Sequence, residues 1–225
     1  ELDKAEYFTY LRSVKKSIEL FRTENIPLQA ELSVLQQQYG TIAGKMTIDM
    51  NGQEYTLQQA SQFLENEDRL IREEAYKKIQ ERRLQDQDTL HELFTTLIQK
   101  RHQVAVNAGF ANYRDYKFAE LGRFDYSKED CFQFHEAIKL HVLPLVDKIY
   151  NRKKQKLGLA ILKPWDTEAE PAGTQPLRPF TDGKDLYEKS VACFEKLNPF
   201  FADCLRKMNS LKHFDLESRK GKAPG

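Results

Sequence analysis

The sequence predicts a mainly α-helical fold carrying one very long helix and one small β-hairpin, and three observations lead there. The 225 residues include only 10 Gly and 8 Pro, too few turn-formers for a many-turned β architecture, while Glu, Lys, Gln and Leu, all good helix formers, are abundant. From Arg69 to about Ala108 there is neither Pro nor Gly, and Leu70, Ile71, Ala75, Ile79, Leu84, Leu90, Leu93, Phe94, Leu97, Ile98 and Val104 recur at helical spacing. Asn51-Gly52 lies between the alternating run Met46, Ile48, Met50 and the segment Gln53-Glu54-Tyr55. Both residues tolerate the positive φ that a tight hairpin turn demands.

The other elements follow in order. Leu2, Phe8, Leu11, Val14, Ile18 and Phe21 form the apolar stripe of a helix over 2–22. Pro27 opens a second helical stretch, Leu28 to about Gln38, where its missing N–H costs little. Gly40 and Gly44 then mark a change of period before the hairpin at about 45–56. Thr56 caps a short helix holding Leu57, Ala60, Phe63 and Leu64, and Asn66 or Asp68 caps the long helix over about 69–108. At 1.5 Å per residue that rod is about 60 Å long. Gly109 stops it, and a short helix ends at Gly122. Ser127 with Asp130 forms a capping box for a helix to about Leu157, kinked at Pro144. An irregular stretch, 161–183, precedes a helix from about Lys184 that breaks at Asn198-Pro199 and resumes to Met208. Phe214 and Leu216 flank Asp215 in a short strand-like run. No internal repeat or clear linker interrupts this order, so residues 1–225 form one continuous helical region.

Charge and cysteine content narrow the function classes. Thirty-five Lys and Arg against 34 Asp and Glu leave a net charge of +1, which excludes a nucleic-acid binder relying on a global basic field. No apolar run approaches the roughly 18 residues of a membrane span. Cys131, Cys193 and Cys204 are widely spaced and contain no CxxC pair, so they are expected as reduced thiols in a cytoplasmic protein. The chain starts at Glu1 and ends at Gly225 in a Lys-Gly-Lys-Ala-Pro-Gly run, and both ends are expected to be cuts in a longer polypeptide.

No complete reactive centre emerges from the residues alone. His91-Glu92 begins a zinc-type pattern, but Thr95 stands where a second histidine ligand belongs. His91 and His102 are about 16 Å apart along a helix, and His135 and His141 face different ways. Nucleophile elbows and phosphate-binding glycine loops are absent. Glu73-Glu74 and Glu129-Asp130 are adjacent and splay apart. The cluster Arg152-Lys153-Lys154-Gln155-Lys156 suits a helix C-terminus and lacks the interleaved aromatics of a base-stacking surface. In Arg219-Lys220-Gly221-Lys222 the glycine would let backbone approach a ligand or an extended peptide, but on these residues alone a plain turn is the favoured reading.

Several segments, in order, resemble the oligoendopeptidase F and thimet-oligopeptidase type of zinc metallopeptidase. They are Asp68-Arg69-x-x-Arg72-Glu73-x-Ala75-Tyr76, then Arg101-His102-x-x-Ala105-x-x-Ala108-Gly109-Phe110-x-Asn112-Tyr113-Arg114-Asp115-Tyr116, and Arg123-Phe124-Asp125-Tyr126-Ser127. Val142-x-Pro144-Leu145, Leu157-Gly158 and Lys163-Pro164-Trp165-Asp166 follow, and Asp215-Leu216-Glu217-Ser218-Arg219-Lys220-Gly221-Lys222-Ala223-Pro224-Gly225 closes the series. Together they cover about residues 45–225.

The resemblance implies a mostly helical, two-lobed peptidase whose groove admits short peptides. The family's zinc ligands and general base lie on a His-Glu-x-x-His helix downstream of the Arg-Lys-Gly-Lys segment. Zinc is therefore expected as the cofactor of the full-length parent, with no metal ligand and no catalytic residue in residues 1–225. Arg219, Gly221, Lys222 and Gly225 are the expected substrate-binding residues lining the groove. Trp165 and Asp166 are expected to lock the irregular loop, and Asn112, Tyr113 and Tyr116 to close the long helix against its neighbours. The expected partners are short peptides, with neither nucleic acid nor membrane, and exposed apolar surface is expected to favour self-association. The alternative function is a non-catalytic helical scaffold that binds a protein partner.

Overall fold

The structure is a computed structural model that describes residues 5–174 and 177–223. In chain order its elements are helices α1 (Phe8–Leu20) and α2 (Asn25–Gly44), strands β1 (Thr47–Met50) and β2 (Gln53–Thr56), and helices α3 (Leu57–Ala60), α4 (Arg69–Leu84), α5 (Gln87–Asn107) and α6 (Tyr113–Glu120). There follow α7 (Lys128–Ala137), α8 (Leu143–Lys156), α9 (Gly183–Leu197) and α10 (Pro199–Ser210). A π-helical turn, Ile138–Val142, joins α7 to α8 just before Pro144, and 3₁₀ turns occupy Ser61–Glu65 and Pro164–Asp166. The widened turn absorbs the missing proline N–H that predicts a kink there.

Local chemistry sets most of the boundaries. The strands pair antiparallel, Thr47 opposite Thr56 and Met50 opposite Gln53, around a turn in which Asn51 (φ 57°) and Gly52 (φ 80°) are both left-handed. Thr56 and Gln59 make a reciprocal capping box at α3, as Ser127 and Asp130 do at α7. Gly109, at φ 87°, ends α5 while the Phe110 N–H reaches back to the Ala105 carbonyl at 2.9 Å.

Three expectations are corrected. The single rod over 69–108 is two helices, parted at Gln85-Asp86. Asp86 has non-helical backbone angles (φ −101°, ψ 13°) and its side chain caps nothing, because its carboxylate accepts from Arg82 Nη1 at 2.5 Å. Aspartate in a Gln-Asp-Gln-Asp run favours a helix end over a helix interior. Gly40 lies inside α2 rather than marking a change of period. Residues 213–216 form no strand; the Asp215 carboxylate and carbonyl bind Arg219 and Lys222 instead.

The chain divides into two compact units, Glu1–Ala43 with Glu81–Gln155 and Gly44–Gln80 with Lys156–Gly225. In the first, Leu20 of α1, Leu32 of α2, Leu93, Leu97, Val104 and Ala105 of α5, Ala108, and Tyr116 of α6 form the buried core. Asn112 caps α6 by accepting from the Asp115 N–H at 3.0 Å, and Tyr116 stacks edge-on against Phe110 at 5.7 Å, so these residues do fasten the end of α5. Asn25 is buried among apolar groups, its amide donating to the Val104 carbonyl at 3.0 Å and accepting from Asn107 Nδ2 at 2.8 Å. Asn25→Ala is expected to cost about 1–3 kcal/mol in urea unfolding, since it removes two side-chain hydrogen bonds, one to the Val104 carbonyl and one from Asn107.

In the second unit Ile48 and Met50 of the hairpin pack with Ala60, Ala75 and Ile79, bordered by Tyr55, Phe63 and Ile71. A polar knot sits beside this core. Asp166, wholly buried, accepts from Arg69 Nε at 3.0 Å, Arg69 Nη2 at 2.8 Å, Arg72 Nη2 at 3.0 Å and the Lys163 N–H at 2.9 Å. Arg72 also donates to the carbonyls of Asn66 (2.7 Å), Glu67 (2.9 Å) and Trp165 (3.2 Å). The Trp165 ring stands 5.7 Å from that of Tyr76. The irregular loop is thus tied to the start of α4 by one buried carboxylate and two guanidinium groups.

Candidate functional site

The expected groove-lining segment follows α10. That helix ends with Lys212 at φ 57° and the His213 N–H on the Met208 carbonyl at 3.0 Å, which releases the chain into an irregular path over 213–223. Asp215 organises this path. Arg219 binds its carboxylate through both terminal nitrogens, at 2.5 and 2.7 Å, a pairing that the four-residue spacing and the planar guanidinium favour. Lys222 Nζ stands 3.5 Å from the same carboxylate and donates to the carbonyls of Asp215 (2.5 Å) and Glu217 (3.0 Å). The Arg219 bonds, aided by Lys222, hold the Asp215 carboxyl at about 2. The Lys222 N–H closes a turn onto the Arg219 carbonyl at 3.1 Å, with Gly221 at φ 86° in the third position, where a type II turn needs glycine.

Four anchors fix the segment to the rest of its unit. The Gly221 N–H donates to the Gly44 carbonyl at 2.6 Å. Ser218 is joined at both ends, its hydroxyl 2.9 Å from Thr56 Oγ1 and its carbonyl accepting from Gln59 Nε2 at 3.3 Å. Lys220 Nζ meets Glu54 Oε1 on β2 at 2.7 Å, and this contact, with the Thr47 hydroxyl, lowers the Glu54 carboxyl below its ordinary range. Glu217 Oε1 accepts from the Gly183 N–H at 2.7 Å, where a carboxylate suits the start of α9. The backbone approaches so closely at Gly44 that a Cβ there would stand 2.7 Å from the Lys222 carbonyl oxygen.

Arg219, Gly221 and Lys222 are therefore brought together, while Gly225 lies outside the described residues. The cationic heads are engaged by groups of the protein itself, so the corner offers shaped main chain more than free charge. The sequence alone did not single out Asp215, Glu217, Gly44, Thr56, Gln59 or Glu54 for this role. Only the Asp215–Arg219 spacing carried a local signal. Among the described residues no three of His, Cys, Asp and Glu gather to hold a metal ion; the residues present do not fit a zinc site, and no step through zinc can be assigned to them. The three cysteines are unpaired with one another.

A cavity of about 350 Å³ belongs to the first unit, lined by Ser13, Leu20, Gln29, Tyr116, Glu120 and Phe124 among others. Tyr116 donates to Glu120 Oε1 there at 3.2 Å, and burial followed by that carboxylate pushes its hydroxyl up to about 12. Among the described residues no helix is long and apolar enough to cross a membrane.

Comparison with known proteins matches this arrangement to a fold and a family. PZ peptidase A, solved with an inhibitor, shares 23% identity and superposes with a TM-score of 0.90 over 99% of this chain and 40% of its own. A protein assigned as an oligoendopeptidase F shares 24% identity, with a TM-score of 0.89 over 96% of this chain and 38% of its own. A Bacillus anthracis protein with the same assignment shares 21%, with a TM-score of 0.89 over 99% and 41%. The chain spans about two fifths of the length of these solved structures. No curated protein sequence matches it. The family model for peptidase family M3 matches residues 62–225, a stretch holding the Asp166 knot, the helices α4 to α10 and the 213–223 corner. This chain belongs to peptidase family M3.

Proposed function

We propose that this chain is the N-terminal-side part of the catalytic domain of a zinc-dependent metallo-oligopeptidase that hydrolyses short peptides. In this reading the 213–223 corner supplies a wall of the substrate groove, with Arg219, Gly221 and Lys222 lining it. The observation that carries the reading is the family match over residues 62–225, which includes the corner that Asp215 and its anchors hold rigid. The role of the corner is positional. Glycine at 221 keeps side-chain bulk away from the main chain, and an extended peptide can pair with exposed backbone groups. Lys222 and Arg219 keep the turn closed and do not themselves react.

Zinc, with its ligands and general base, is assigned to polypeptide outside residues 1–225, consistent with the two-fifths coverage of the solved relatives. Zinc bound there would supply a Lewis acid and an activated water.

The test is a paired assay on the full-length gene product and on residues 1–225 with a quenched fluorescent peptide. Zinc near one equivalent and cleavage are expected for the full-length protein alone. Stoichiometric zinc and cleavage by residues 1–225 would overturn the assignment of the chemistry elsewhere. A full-length product that neither binds zinc nor cleaves peptides would overturn the peptidase reading.

A further inference from the structure

The cavity in the first unit lies among α1, the start of α2 and the end of α6, and the sequence of α1 explains why it stays open. Ser13, Lys16, Ser17 and Leu20 recur at three- and four-residue steps, so one face of the helix lines the space. Where that face meets α6, two serines stand in place of the large apolar side chains that interdigitate in a closed helix–helix contact. Their hydroxyls donate to the carbonyls of Thr9 and Ser13, one turn back, each at 3.0 Å, and so need no partner from α6. The bulkier Val14 and Ile18 lie on another face and are exposed. A further wall is Phe124, held by Arg12, whose guanidinium stands 4.5 Å from the ring and grips Asp125 through both terminal nitrogens at 2.8 and 3.1 Å.

At about 350 Å³ the space stands near the small end of ligand pockets, about 300–1,000 Å³, which suits a ligand of amino-acid or dipeptide size. Its lining joins apolar surface from Leu20, Phe21 and Phe124 to one ammonium, Lys16, and one carboxylate, Glu120. The two charged side chains are 34% and 35% exposed, so both reach the solvent from which a ligand enters. Each is tied along its own chain segment, Lys16 to Glu19 and Glu120 to Lys117. Such surface pairs hold weakly, and an ammonium has three donors and a carboxylate about four acceptor sites, so both keep capacity for a ligand. Tyr116, 3% exposed, orients the carboxylate by donating to Glu120 Oε1. The two formal charges cancel. A wholly apolar ligand would strip water from both without compensation, and a singly charged one would leave one of them unmatched. We propose that this cavity binds a small zwitterion with an apolar side chain, an apolar amino acid or dipeptide. Its carboxylate pairs with Lys16, its ammonium with Glu120, and its side chain packs against Phe21 and Phe124. The site shares no residue with the 213–223 corner, and it does not depend on the peptidase reading.

The experiment is a ligand-observed NMR titration of the full-length gene product with L-phenylalanine, which is expected to saturate with a dissociation constant of about 1 mM or tighter. Phenethylamine, which lacks the carboxylate, and hydrocinnamate, which lacks the ammonium, are expected to bind at least about tenfold more weakly, as loss of a charge-assisted bond requires. Lys16→Met and Glu120→Gln, both at half-exposed positions, are expected to weaken phenylalanine by at least about tenfold. Ser17→Leu is expected to abolish its binding by filling the space. Removing zinc with a chelator should change nothing, because the lining holds no group of metal ligands. Either analogue binding as tightly as phenylalanine would overturn the zwitterion assignment. Binding that survives both charge variants, or that is lost with zinc, would place phenylalanine elsewhere and overturn the proposal, as would a titration that never saturates. None of these results touches the peptidase reading, which the zinc and cleavage assay judges separately, and the analogue comparison uses unaltered protein, so a misfolded variant cannot obscure the outcome.

Discussion

Asp166→Ala is expected to destabilise the protein by about 3–5 kcal/mol, because it removes the one carboxylate on which two guanidinium groups converge. The substitution leaves Arg72, 3% exposed, as a buried cation without its counter-charge, and loss of one partner from a buried pair is strongly destabilising. The lost bonds to Arg69 and to the Lys163 N–H also free the 161–166 loop. Asp166→Asn keeps the shape and is expected to cost less, though it replaces a bidentate charge-assisted acceptor with one acceptor and one donor. Urea unfolding of the three proteins checks the order wild type, Asn, Ala. Equal midpoints would refute a role for the knot.

The same residue sets an acid dependence whose sign is fixed by its surroundings. Burial pushes the Asp166 carboxyl up, but Arg69, the Lys163 N–H and Arg72 together outweigh burial and hold it at about 2, below the ordinary 3.8. Its folded value is lowered, so its stabilisation is fully present above the unfolded value. It fades as pH falls from about 4 through about 2. The difference corresponds to about 2 kcal/mol. Wild type should lose that increment across this window, and Asp166→Asn should not.

Gly44→Ala is expected to loosen the 213–223 corner and cost about 1–3 kcal/mol. Two effects compete. Alanine at a helix position is favoured over glycine by up to about 1 kcal/mol. Against that, the new Cβ would lie 2.7 Å from the Lys222 oxygen and 2.9 Å from its carbonyl carbon. Those are backbone atoms that cannot rotate away, and overpacking of this kind costs about 1–3 kcal/mol. The corner must move, and the Gly221 to Gly44 bond at 2.6 Å is the first to go. Limited trypsin digestion should cut faster after Arg219, Lys220 and Lys222 in the variant than in wild type. Lys222→Ala, which keeps the backbone contact, should leave Arg219 and Lys220 less sensitive than Gly44→Ala does. In the full-length protein, a groove role for the corner further requires Gly44→Ala to raise KM for peptides more than it lowers kcat.

What the sequence determined by itself is the set of features governed by neighbours within about four residues. The Asn51-Gly52 turn, the cap at Thr56, the capping box at Ser127, the stop at Gly109 and the break at Asn198-Pro199 all depend on contacts between near neighbours in the chain, and all appear in the structure. The same locality explains the miss at Asp86, where apolar periodicity continued across a break that a competing Arg82 pairing helps fix. Tertiary structure alone decided the rest. Arg72 and Asp166 are 94 residues apart, Ser218 and Thr56 162 apart, and no spacing rule connects them. The ordered motifs at Arg69–Arg72 and Trp165-Asp166 were legible as family features, but that they meet in one buried knot was not. Likewise Arg219, Gly221 and Lys222 could be named from the sequence, whereas the way Asp215, Glu54, Glu217 and Gly44 hold them could not. Charge pairing and close backbone approach act through space, and only the folded path brings those partners within reach of one another.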